Sequence, residues 1–121
     1  MKPRESVVRL KMFQVRERRR EIAQLDMVIT EFERMMSELE AQIVDEERQS
    51  GNSDVCHFAY STFAHSARKR YDNLKKSIRD LQLQKENAEA VLKDIEMELQ
   101  HVQVSDPQEG QAALGGGRVS V

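Results

Sequence analysis

Two groups of residues carry side chains that could do chemistry. The first is Asp54, Cys56, His57 and His65. A thiolate, two imidazoles and a carboxylate make a zinc donor set, and a Cys beside a His is the pair from which a nucleophile is built. The spacing matches neither pattern, and four ligands would have to converge from a loop tip with no scaffold behind it. Cys56 reads instead as a small buried apolar group at the tip. The chain has no glycine-rich phosphate loop, and its many carboxylates lack an apolar wall that would shift a pKa. No catalytic residue, metal ligand or cofactor is expected, and enzymatic activity is not expected.

The second group is basic. Arg16, Arg18, Arg19 and Arg20 follow Arg9 and Lys11, with Met12 and Phe13 between them. Guanidinium groups favour bidentate pairing with carboxylates. Several consecutive Arg point all round a helix, so one neighbouring acidic segment cannot neutralise them all. Met12 and Phe13 add apolar anchors. These eight residues are therefore expected to carry the main partner contact. Phosphate is the other ligand such a run suggests, but no aromatic residue alternates with the Arg to stack bases, so nucleic acid is not expected. Nor is a membrane surface, because the apolar stripe is needed for a helix partner.

The elements that position these groups follow from composition and spacing. The chain has 121 residues, 33% of them charged, 5% aromatic and none Trp. Apolar residues stand singly between charges, as in helices that bury one stripe. No apolar run approaches the ~20 residues needed to span a bilayer, and the basic start leads into no secretory signal. A single Cys cannot form an internal disulfide, and a reducing cytoplasm is the simplest setting.

One heptad position reads Val8, Val15, Ile22, Ile29, Met36, Ile43, and its partner reads Lys11, Arg18, Leu25, Phe32, Leu39, Glu46. This is a coiled-coil seam with charged interruptions at its ends. It predicts a first arm over about 4–49, ended by Ser50-Gly51-Asn52-Ser53-Asp54. A second seam runs Ala64, Tyr71, Ile78, Lys85, Leu92, Leu99 with Ala67, Leu74, Leu81, Ala88, Ile95, Val102. It predicts a second arm over about 63–104, with Ser61 or Thr62 as its cap. Between the arms, at 50–62, a short helical piece or packed loop is expected. Three aromatics at this tip, Phe58, Tyr60 and Phe63, are expected to form an apolar knot. Residues 105–121, with Gly110 and Gly115 to Gly117 in the stretch from Pro107, have little to bury and are expected to form a disordered tail.

Charge order sets the arrangement. Residues 1–20 carry a balance of +6, residues 21–60 of −8, residues 61–80 of +4 and residues 81–121 of −4. Folding back near residue 55 places opposite signs side by side throughout. The pairs then become Val8 with Val102, Val15 with Ile95, Ile22 with Ala88 and Phe32 with Ile78. The fold expected is all-α, a long antiparallel two-helix coiled-coil hairpin. Parallel homodimers and three-helix units share bare heptads, but matched arm lengths and charge order favour the hairpin. Its thin seam leaves room for weak homo-oligomers.

Val8-Arg9-Leu10-Lys11 through Phe13, the Arg-rich turn, and Ile22-Ala23-Gln24-Leu25 resemble the opening of a known family. Phe32-Glu33-Arg34-Met35, Leu39 and Asp45-Glu46-Glu47 continue the resemblance. The tip, His57-Phe58-Ala59-Tyr60 followed by Ala64, Ala67-Arg68 and Arg70, is its most particular part. The family is the J protein (FliJ) of flagellar type III export, in its short α-proteobacterial branch. The resemblance covers about residues 5–100. It implies a non-enzymatic stalk-like coiled coil at the cytoplasmic face of the flagellar basal body. Implied partners are the hexameric export ATPase, the cytoplasmic domain of the export gate and export chaperones. Contact with the ATPase is implied at Val8 to about Arg20 and Leu92 to Val102. The second arm is shorter than in longer members, which bears on whether it enters the ATPase ring. The alternatives are a stand-alone helical chaperone outside the flagellum and a nucleic-acid-associated helical protein.

Overall fold

A computed structural model describes residues 3–51, 53, 54, 56 and 60–104. Helix α1 spans Pro3–Ser50 and helix α2 spans Thr62–Val104, packed as an antiparallel two-helix hairpin. Among the described residues, no helix is long and apolar enough to cross a membrane.

The ends of the helices follow local chemistry. Gly51 stands at φ +71°, the left-handed conformation that releases a chain from a helix, and its N–H donates to the Arg48 carbonyl at 3.3 Å. Ser61 caps α2: its Oγ accepts from the Ala64 N–H at 3.2 Å, and its carbonyl accepts from the His65 N–H at 3.0 Å. Both helices stop within one residue of the limits that the heptads predict.

Every seam position read from the sequence is buried or half-buried. The chain divides into two compact units, Gln24–Lys85 and Met1–Ala23 with Glu86–Val121. In the first, Ile29, Leu39, Ile43, Tyr60, Ala64, Ala67 and Ile78 are buried. Leu39, Ile43 and Ala67 form one cluster, with Tyr71 and Leu74 packed on it. The small Ala67 lets the helix backbones approach opposite Ile43, as the register requires. In the second unit, Val15 and Ala88 are buried.

The charged interruptions of the seam are paired. Lys11 Nζ lies 2.7 Å from Glu98 Oε1, and Lys85 Nζ lies 2.7 Å from Asp26 Oδ1. Each partner is one residue from the position that the expected register assigns. The stems cover apolar neighbours while the charges reach the flank. Val15 and Ile95 therefore belong side by side. In a Cys56→Ser background, Val15→Cys with Ile95→Cys is expected to form a disulfide within one chain on oxidation, read as a monomeric band of altered mobility. Cross-links formed only between chains would contradict the register.

The tail expected to be disordered, 105–121, lies outside the described residues, as do Val55, His57, Phe58 and Ala59 of the tip.

Candidate partner interface

The basic segment lies on α1 in the unit Met1–Ala23 with Glu86–Val121. Four of its cations are held by intramolecular pairs. Lys11 meets Glu98 as above, and Arg19 Nη2 lies 2.8 Å from Glu96 Oε2. Arg18 Nη1 lies 2.9 Å from Glu21 Oε1, and Arg20 Nη1 lies 3.1 Å from Glu17 Oε2. Of the eight residues expected to carry the partner contact, these four therefore have carboxylates of their own within the chain. Glu17 and Glu21, each three residues away on the same helix, neutralise two Arg that the charge-block argument left over. These exposed pairs are worth only ~0.2–1 kcal/mol each, so they redirect the side chains more than they stabilise the helix.

Arg9 and Arg16 differ. Both are exposed, and neither side chain makes an ion pair or hydrogen bond with any described residue. They stand seven residues apart, with Phe13 four residues after Arg9 and three before Arg16, so all three share one helix face. Phe13 is 51% exposed, and Leu10, three residues before it, is 56% exposed. That face points away from the seam, which Val15 occupies. Met12, 43% exposed, lies on the flank. The result is an apolar pair, Leu10 and Phe13, between two guanidinium groups without carboxylates of their own. Leu10 lies within the stretch Val8 to about Arg20 that the resemblance implies, but outside the eight residues expected to carry the contact. Its spacing of three from Phe13, outside both heptad positions, is the signal that identifies it.

At the other end, Tyr60 is held by a polar clasp. Its ring is buried, with 6% of the residue exposed. Its hydroxyl donates to Glu47 Oε2 at 2.6 Å and accepts from Arg68 Nε at 2.7 Å. Arg68 Nη2 donates to the same Glu47 oxygen at 2.7 Å, and Ser61 Oγ donates to Glu46 Oε1 at 2.9 Å. The His65 and Tyr60 rings meet in a T-shaped pair, 5.2 Å between centroids and 88° between planes. The expected apolar knot is corrected in part. Tyr60 is buried, but Phe63 is 53% exposed, while Phe58 lies outside the described residues. A phenol ties both helices through its hydroxyl, which a cluster of rings alone would not do.

The clasp is pH-sensitive. Hydrogen bonds from Tyr60 and Arg68 hold the Glu47 carboxyl below the usual carboxylate range. Burial, then the bond to Glu47, pushes the Tyr60 phenol above its ordinary value. Glu47 thus contributes stability above the unfolded carboxylate pKa of ~4.3 and loses it as pH falls through its lowered value. Tyr60 contributes below about pH 10 and loses its share as pH rises through its raised value. Glu47→Gln is expected to melt below wild type at pH 7, with the gap shrinking on acidification below about pH 4. A gap unchanged from pH 7 to pH 3 would contradict the assignment.

Asp54 and Cys56 sit in a side-chain turn in which the Cys56 N–H donates to Asp54 Oδ1 at 3.0 Å, and Cys56 is exposed. Exposure corrects the reading of Cys56 as a buried apolar group. His57 lies outside the described residues, and His65 is used against Tyr60. Among the described residues, no three His, Cys, Asp or Glu side chains are grouped so as to hold a metal ion.

No family model, no curated protein and no solved structure matches the chain.

Proposed function

We propose that the chain is a non-enzymatic coiled-coil adaptor and chaperone of flagellar type III protein export. In this reading it acts at the cytoplasmic face of the basal body and docks on the hexameric export ATPase. The cytoplasmic domain of the export gate and export chaperones are its further partners. One observation carries the reading: Arg9 and Arg16 flank the exposed Leu10 and Phe13 on the outer face of α1. Desolvated Arg and aromatic side chains are the residues that most often dominate binding energy at interfaces. Carboxylates on the partner would complete the two free guanidinium groups bidentately. The resemblance described above supplies the identity of the partner, and the antiparallel hairpin suits a stalk-like element. The hairpin binds and positions, and chemistry belongs to the ATPase.

The test is capture from motile cells with a tagged chain, the bound proteins being identified by mass spectrometry. Recovery of the export ATPase, with motility lost in a deletion strain and restored by the wild-type gene, supports the proposal. Normal motility in the deletion strain, or capture of a chaperone client pool without export components, would replace it with the stand-alone chaperone reading.

A further inference from the structure

In the unit Gln24–Lys85 the two flanks of the seam differ in kind. One flank takes Asp26, Glu33, Glu40 and Glu47 from α1 and Arg68 and Lys75 from α2. It is charged, and Glu47 pairs across it with Arg68 at 2.7 Å. The opposite flank takes Val28, Met35 and Gln42 from α1 and Phe63, Arg70 and Ser77 from α2. Arg70 is its one charge. A two-stranded coiled coil ordinarily carries charges on both flanks, whereas a helix that faces more than one neighbour widens its apolar stripe onto a third heptad position. Val28 is 39% exposed and Phe63 53% exposed. Arg70 and Gln42 are exposed, and their side chains make no ion pair or hydrogen bond with any described residue.

We propose that this uncharged flank docks a second copy of the chain, so that two hairpins form a four-helix bundle. The proposal is independent of the export reading and uses a different surface from the Arg9 face. Charge selects the occupant. A strongly charged partner would find one group to pair with, whereas a second copy meets an equally neutral surface. Charge also selects the orientation. With the two-fold axis parallel to the helices and both tips at one end, α1 of each copy lies over α2 of the other, antiparallel as within each hairpin. Arg70 then falls beside Met35 and Gln42 of the second copy, where the Gln42 amide oxygen accepts from the guanidinium. With the hairpins reversed, the two Arg70 side chains would meet near the axis. From Val28 to Gln49 the flank is about 32 Å long, and two helices are about 20 Å across. Each copy therefore buries on the order of 600 Å², at the lower edge of specific interfaces, which points to a micromolar dimer.

Sedimentation velocity on the full chain from about 1 to about 500 µM tests this, spanning a micromolar Kd from well below to well above. Wild type is expected to pass from monomer to dimer. Val28→Lys with Gln42→Lys places cations beside Arg70 and is expected to stay monomeric with an unchanged circular dichroism spectrum. Glu33→Gln with Glu40→Gln, on the opposite flank, is expected to dimerise as wild type does. A wild type that remains monomeric throughout overturns the proposal and leaves the flank to a partner of another sequence. So does a Lys variant that dimerises normally. Should the Lys variant lose helicity, a spin label on Gln42→Cys in a Cys56→Ser background gives an independent reading. Two labels on a bundle about 20 Å across are expected within about 25 Å of each other. Absence of a dipolar signal overturns the proposal.

Discussion

Tyr60→Ala is expected to lower the melting temperature by roughly 15 °C. Truncating a buried aromatic costs about 3 kcal/mol or more, because transfer and cavity terms add. In a domain of this size each kcal/mol moves the midpoint by about 4–8 °C. The substitution also removes the hydroxyl that links Glu47 on α1 to Arg68 on α2. Tyr60→Phe separates the two effects. It keeps the ring and leaves the Glu47–Arg68 pair at 2.7 Å, so only about 1 kcal/mol is expected to be lost. Thermal melts followed by circular dichroism at pH 7 give both values. If Tyr60→Ala melted like wild type, the clasp would have no part in closing the hairpin. If Tyr60→Phe matched Tyr60→Ala, the hydroxyl rather than the ring would be its main element.

Much of this arrangement is legible in the residues before any coordinates. The heptads place each seam residue because a 3-4 spacing on two antiparallel arms leaves one buried stripe, and Lys11 and Lys85 stay within it by reaching Glu98 and Asp26. Gly51 and Ser61 mark the helix ends because a left-handed exit and an oxygen cap have few other residue types. Two features escape this logic. Aromatic content alone assigns Phe63 to a core. The first turn of α2 instead turns its side chain outward, while Ser61 and Tyr60 hold the chain against Glu46 and Glu47. Block charges assign Arg18 and Arg20 to a partner, whereas Glu21 and Glu17 lie three residues away on the same helix. The i,i+3 spacing was present in the sequence. Summing charge over blocks averages it away.

The second large effect concerns binding. Arg9→Glu, Phe13→Ala and Arg16→Glu together are expected to abolish partner binding while leaving the helix intact. All three side chains are exposed, and the two Arg make no pair with a described residue, so their loss costs the fold little. At an interface an anchoring aromatic is worth about 2 kcal/mol or more, roughly thirtyfold in Kd. Two charge reversals against a carboxylate-bearing partner add repulsion and remove steering. Wild-type affinity is expected to fall as salt rises, because exposed charges are screened. Arg18→Gln with Arg20→Gln is the contrasting variant. Those Arg already have carboxylates on their own helix, so it is expected to bind within a few-fold of wild type.

The most direct test is a calorimetric titration of purified export ATPase with three forms of the full chain: wild type, the Arg9/Phe13/Arg16 variant and the Arg18/Arg20 variant. Saturable binding by wild type and by the Arg18/Arg20 variant, with none by the Arg9/Phe13/Arg16 variant, is the predicted result. No heat of binding with wild type, or equal affinity for all three, would contradict the account.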